Sequence, residues 1–370
     1  MRECANYEFG IIIQARNLQF AVRNFFVPDL NSLTNQLFDR REAMRPTRRT
    51  WLKHFALLLV AFFTVTIAGS LQPFGSIQIF SDVPEPETWT EIFNFLLFLP
   101  ALYFQLVFST IGKLLNNFEL LKNGVSFSAS LLAILTAHEA GHYVACRLYR
   151  VDATLPYFIP MPPLLGPAGT LGAFIKIVSP MPSRRAVFDI GVAGPIAGFV
   201  TLVPILIFGL LTMREVSPEQ AAAAAQNGLY FADPLLTQLL GKIIGVNPSL
   251  GFFNPFLAAA WVGMLVTSLN LIPSGQLDGG HAVYSIFGER VHFWTGRIAF
   301  AAVSVISLLG WFLYNSPSGF LFAVLLAVML RVKHPEPLDD APLDFVRKIV
   351  AVLTLVIFIL CFVPFPIQIR

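Results

Sequence analysis

Charge is what this 370-residue sequence has least of: Asp, Glu, Lys and Arg make up 13% of it, against 55% hydrophobic residues. Soluble globular chains carry about 25% charged residues, and half that supply cannot cover the surface of a water-soluble protein of this length. A membrane protein follows. Cysteine is also scarce. Cys4, Cys146 and Cys361 are odd in number and far apart, which excludes a disulfide framework and any CxxC metal or redox site. A net charge of +3, dispersed along the chain, leaves no footprint for a nucleic-acid partner. The hydrophobic content excludes intrinsic disorder. The N-terminal region has no apolar core with a small-residue cleavage site, so it is not read as a signal peptide.

What is present is a series of apolar runs, at 55–72, 92–112, 124–146, 188–212, 252–272, 296–314, 317–331 and 349–365. A helical span takes about 17–25 residues, so 317–331 is short and is expected to be tilted, broken or partly re-entrant. Residues 1–53 read as a basic cytoplasmic extension, with Arg40, Arg41, Arg45, Arg48, Arg49 and Lys53 directly before the first run. The loop 73–91 is acidic and suits the outer side. Placing the later Lys/Arg groups inside sends 124–146 inward, 188–212 outward and 252–272 inward again. With that parity 92–112 cannot be a complete span. Pro100 interrupts it and 113–123 is polar, so 92–122 is expected to be re-entrant or interfacial.

The chemistry sits on polar residues inside these runs. Residues 124–146 read GVSFSASLLAILTAHEAGHYVAC, placing His138, Glu139 and His142 within five positions of an apolar helix. One isolated charge at the centre of such a helix costs about 2.5–3.5 kcal/mol, so something must compensate the group, and a metal ion is a natural candidate. His138 and His142 are one turn apart on one face and can share a cation. Glu139 is placed to act on water beside the metal rather than to bind it. With six His and twelve Glu in the chain, roughly 0.003 accidental HExxH matches are expected. The bland readings are a structural polar knot or a proton relay.

A catalytic zinc site needs a third protein ligand. The clear candidate is Asp278 in NLIPSGQLDGGH (270–281), where Pro273, Gly275, Gly279 and Gly280 break the helix. Unwound backbone at membrane depth is tolerated where it lines a wet cavity or is buried in protein. Asn270 on the same stretch either contacts a substrate carbonyl or developing oxyanion, or makes a helix-packing hydrogen bond. His281 reads as a hydrogen-bonding residue at a helix start. Run 188–212 begins FDIGVAGPIAGF; Gly194 and Gly198 allow close helix packing, no catalytic group is seen there, and Asp189 reads as an N-cap at the membrane surface. Between these runs, TLGAFIKIV (170–178) has strand composition within a Pro-rich stretch. It suits either a scaffold hairpin or an edge that holds an extended substrate by β-augmentation.

Three blocks carry a resemblance: His138-Glu139-Ala140-Gly141-His142, Gly194-Pro195-Ile196-Ala197-Gly198, and Asn270-Leu-Ile-Pro273 through Leu277-Asp278-Gly279. They resemble the site-2 protease family of intramembrane zinc metalloproteases, and most closely the subgroup shared by bacterial members and plant chloroplast proteins of the ethylene-dependent gravitropism-deficient and yellow-green type. The likeness is strong over 124–290 and weak over 51–72 and 291–370. It implies an α-helical polytopic membrane protein, with a three-helix catalytic core, flanking transmembrane helices and a small re-entrant β-hairpin between the first two core helices. It implies one Zn2+ held by His138, His142 and Asp278, Glu139 as general base and acid, and Asn270 as a substrate or oxyanion contact. It further implies regulated intramembrane proteolysis of transmembrane protein substrates.

The resulting organisation is a basic extension (1–53), a helix with an interfacial or re-entrant segment (54–123), the catalytic core (124–290) and C-terminal helices (291–370). The loop 213–251 is too short for the PDZ module of some relatives, and no CBS-like extension follows residue 370, so gating by those modules is not expected. A bacterial cytoplasmic membrane, with the site towards the cytoplasm, is the expected location. The competing readings are a membrane di-iron desaturase or hydroxylase, for which histidines are too few, a transporter, for which no repeated half is visible, and a catalytically silent binding protein, against which Glu139 and all three ligand residues are present.

Overall fold

The computed structural model describes residues 46–78, 88–217, 229–251, 253–332 and 334–369. The basic cluster at Arg40, Arg41 and Arg45 therefore lies outside the described residues.

Helix α1 (Arg48–Ser70) starts at Thr47, whose side chain accepts from the Thr50 N–H. Helix α2 (Trp89–Asn116) opens with a capping box between Thr88 and Glu91. Helix α3 (Phe118–Leu148) follows after the single residue Asn117, which caps it. A hairpin of β1 (Tyr157–Pro160) and β2 (Thr170–Phe174) leads into α4 (Arg184–Leu211). Beyond it lie β3 (Leu229–Phe231), α5 (Leu235–Ile244), α6 (Pro255–Asn270), α7 (Asp278–Phe287), α8 (Glu289–Tyr314), α9 (Ser318–Met329), α10 (Phe345–Cys361) and β4 (Ile367–Ile369). The strands form two antiparallel pairs, β1–β2 and β3–β4.

Among the described residues five helices, α1, α2, α3, α4 and α8, are long and apolar enough to cross a membrane. Phe93, Phe98, Phe104 and Phe108 on α2 and Val352, Leu355 and Ile359 on α10 face outward, a distribution that suits lipid rather than water. This is an integral membrane protein of helices.

One part of the reading of 92–122 is corrected: Pro100 does not interrupt it. Residues 89–116 form one continuous helix of 28 residues through Pro100. A proline removes a single backbone bond and is tolerated in membrane helices, where neighbouring groups satisfy what it frees. The polar stretch after residue 112 ends α2 and begins α3. Run 317–331 is short, as expected: it forms α9, a helix of 12 residues.

The interior lies between α1, α3, α4 and α6. Leu131 and Leu135 of α3 meet Ala61 and Val65 of α1 and Ala258 and Trp261 of α6 in one buried cluster. Leu202, Leu206 and Leu210 of α4 meet Leu257 and Met264 of α6 and Ile357 of α10 in another. Small residues set the spacing: the Gly124 backbone lies against the Thr66 carbonyl, and Thr66 and Ser128 hydroxyls bond at 2.8 Å. The hairpin docks on α1, where Thr64 donates to the Gly169 carbonyl at 2.8 Å. As expected from composition, the strand at 170–174 lies between the helices carrying the first two motifs.

Candidate metal centre

The C-terminal half of α3 turns His138, Glu139 and His142 into the bundle, and all three are buried. One helical turn separates the histidines, and their Nε2 atoms stand 3.1 Å apart. Asp278 arrives from a different element. Helix α6 stops at Asn270, and the chain turns through Gly275, whose φ of +54° suits glycine because no Cβ crowds the left-handed conformation. It restarts as α7 with Asp278 in the first turn, where the helix dipole favours a carboxylate. Its oxygens lie 3.2 Å from His138 Nε2 and 3.4 Å from His142 Nε2.

Proton placement follows from the neighbours. The Ile190 carbonyl, which can only accept, lies 2.7 Å from His142 Nδ1. That nitrogen therefore donates, and the Nε2 of neutral His142 is left with its lone pair turned inward. Asn270 Nδ2 lies 3.3 Å from His138 Nε2 and donates to it, so this nitrogen too is an acceptor. Two imidazole lone pairs and a carboxylate thus face one another, and their donor atoms lie within 4.8 Å. Such a set is electron-rich and short of protons. A cation resolves it, and two His with one carboxylate fit a catalytic zinc site. Glu139 is not among the converging donors; it lies in the same cavity, with the Ile175 backbone in hydrogen-bonding reach.

That cavity measures about 680 Å³ and brings together His138, Glu139, His142, Asn270, Asp278 and His281. Along one side run β2 and the segment after it, from Ala173 to Ile177. Strand β2 pairs with β1 alone, through Tyr157↔Phe174 and Phe158↔Ala173, and Ile177 bridges Ala153 beyond it. The other edge of β2 carries no strand among the described residues.

Two features went unread in the sequence. The glycines of 191–198 do more than bring helices together: a Cβ at 194 would collide with the His142 ring, and one at 198 would stand 3.3 Å from His138. The stripe is a bed for the two imidazoles. The spacing of the glycines against HExxH could not reveal this without the register of α4 against α3. Asp189 is not an N-cap. Helix α4 begins earlier, capped by Ser183, because Arg184 and Arg185 extend the helix ahead of the apolar run. Asp189 instead pairs with Arg347 of α10 at 2.7 Å and accepts from Tyr149.

The sequence model of peptidase family M50 matches residues 126–312. Among curated proteins, the one named Probable zinc metalloprotease EGY2, chloroplastic, of Oryza sativa subsp. indica is 27% identical over 261 residues, covering 68% of this chain and 45% of that protein. The Arabidopsis thaliana proteins named Probable zinc metalloprotease EGY2 and EGY1, chloroplastic, are each 28% identical, over 58% and 63% of this chain and 37% and 42% of theirs. The chain spans less than half the length of these relatives. They are named as chloroplastic and lend no support to a bacterial cytoplasmic membrane in particular. The family match takes in half of the sequence and runs from the first turns of α3 to the end of α8, enclosing every donor of the cluster; the chain belongs to peptidase family M50.

Proposed function

We propose that this protein is a zinc-dependent endopeptidase that hydrolyses peptide bonds in or near the transmembrane segments of membrane-protein substrates. The observation that carries the reading is the convergence of His138, His142 and Asp278 beside Glu139, in a cavity bordered by a strand edge. His138, His142 and Asp278 would hold zinc, which when bound supplies a Lewis acid that polarises a carbonyl and acidifies water. Glu139 takes the proton from the attacking water and passes it to the leaving amine nitrogen. Asn270, whose amide N–H groups point into the cavity region beside His138, donates to the substrate carbonyl as charge develops on it. The edge of β2 receives the substrate as an added strand, because a helix hides the peptide bonds that must be reached. Burial of the cluster excludes bulk water while the cavity admits the water that reacts. We place the cavity on the side of the membrane that holds the basic loops, the cytoplasmic side if the membrane is a bacterial one.

Co-expression of a membrane-anchored reporter with wild type and with Glu139→Gln tests this. Cleavage within or beside the reporter's span by wild type, and none by Glu139→Gln, is expected. Equal cleavage by both would overturn the reading.

A further inference from the structure

The linker between α9 and α10 reaches the cavity from residue 334 onward. Pro335 and Glu336 line it. The Leu338 N–H donates to the Met181 carbonyl at 3.0 Å, and the Arg184 N–H donates to the Asp339 carbonyl at 2.8 Å. At the head of this strap His334 Nε2 lies 2.7 Å from Nδ1 of His281. Its own Nδ1 lies 2.8 Å from the Pro335 carbonyl, and its ring stacks on Tyr284 at 3.9 Å between centroids.

These contacts settle which nitrogens carry protons. A carbonyl only accepts, so His334 Nδ1 donates to Pro335. Burial, and then the neighbouring His281, push His334 down to about 3, so it is neutral at physiological pH. Its Nε2 is therefore an acceptor, and His281 Nδ1 must be the donor. The Nε2 of neutral His281 is left as a bare lone pair. It has no protein partner among the described residues and is not one of the buried polar atoms left unsatisfied. His281 lines the cavity, three residues beyond Asp278 on the same face of α7. Its lone pair is thus open to whatever the cavity holds.

An extended segment laid along β2 turns alternate N–H groups to that edge and the others away from it. The second set needs acceptors, since an unpaired N–H is costly in a dry site. Resting on the endopeptidase reading, we propose that His281 is a substrate-binding residue whose Nε2 accepts a hydrogen bond from a backbone N–H of the bound segment. His334 is the positioning residue that fixes the tautomer.

Backbone esters test this directly, because replacing a peptide N–H by oxygen deletes one donor and leaves the side chains intact. The probe is the reporter's span as a synthetic peptide of about 20–25 residues, cleaved by the zinc-loaded protein in detergent micelles. Esters are placed in turn at each bond near the cut but not at the cut itself. In wild type one position on the side away from β2 loses up to about tenfold in kcat/KM. In His281→Phe that position is insensitive to the ester, while positions facing β2 keep their penalties. His281→Gln, whose side-chain oxygen can stand in for Nε2, retains the sensitivity, and His334→Phe weakens it. An ester pattern identical in wild type and His281→Phe, or sensitivity lost in His281→Gln, overturns the inference and leaves the endopeptidase reading intact. Failure of Glu139→Gln to abolish cleavage of the same peptide overturns that reading, and the inference falls with it.

Discussion

Arg347 and Asp189 meet as opposite charges. The guanidinium Nη2 donates to the carboxylate at 2.7 Å and to Tyr149 at 3.0 Å, and Nε donates at 3.0 Å. Their side chains are 23% and 28% exposed. Each charge has its counter-charge and each donor its acceptor, so the cluster is complete without a ligand and acts as a latch between α10 and the ends of α3 and α4. The cluster of His138, His142 and Asp278 has no such balance. Its groups are more deeply buried, lone pairs face lone pairs, and the nearest donor is the Asn270 amide. Removing polar groups from water is costly unless they find partners. A fold that keeps the second arrangement therefore keeps it for a cation, whereas the first needs none.

Substitutions can break this contrast, and the largest effect falls on the unbalanced cluster. His142→Ala removes a ligand and empties a turn of α3; zinc per chain, measured by mass spectrometry of the purified protein, should fall from one to near zero, with reporter cleavage at background. Glu139→Gln should lower the cleavage rate by about 10²–10⁴ while zinc content stays at one per chain, separating proton transfer from metal binding. Gly194→Ala places a methyl against the His142 ring. Competition with a chelator should show metal affinity about 10–100-fold weaker, without loss of the helix content seen by circular dichroism. Arg347→Met should leave zinc content unchanged and destabilise the fold by about 1–3 kcal/mol, because it strands Asp189. The double variant Asp189→Leu/Arg347→Met should recover most of that in a denaturation midpoint. The exposed pair Lys122–Glu119, 54% and 69% exposed, marks the bottom of the scale: Lys122→Ala should cost less than about 1 kcal/mol.

What could be read from the sequence was whatever chemistry is written locally. His138, Glu139 and His142 share one turn of helix, and Asp278 stands in a run of helix breakers, so spacing and composition were enough to single them out. The strand at 170–174 was legible for the same reason. What could not be read depends on which faces meet. The glycines of α4 were seen as packing residues, but their place under the imidazoles needs the register between two helices. Asp189 finds Arg347 across 158 residues, and His281 finds His334 across 53; no periodicity links such pairs. Pro100 was read as interrupting α2, although it removes only one of many backbone bonds. The pair β3–β4 joins residues 229–231 to 367–369, and strands this short leave no pattern of their own.

If the electron-rich cluster is a zinc centre, X-ray absorption at the zinc edge of the purified wild-type protein will show it most directly. The prediction is one zinc per chain, with two imidazole nitrogens and oxygen ligands at about 2.0–2.2 Å, and a nitrogen shell reduced by one in His142→Ala if any zinc is retained. A spectrum with sulfur ligands at about 2.3 Å, or one left unchanged by His142→Ala, would contradict it.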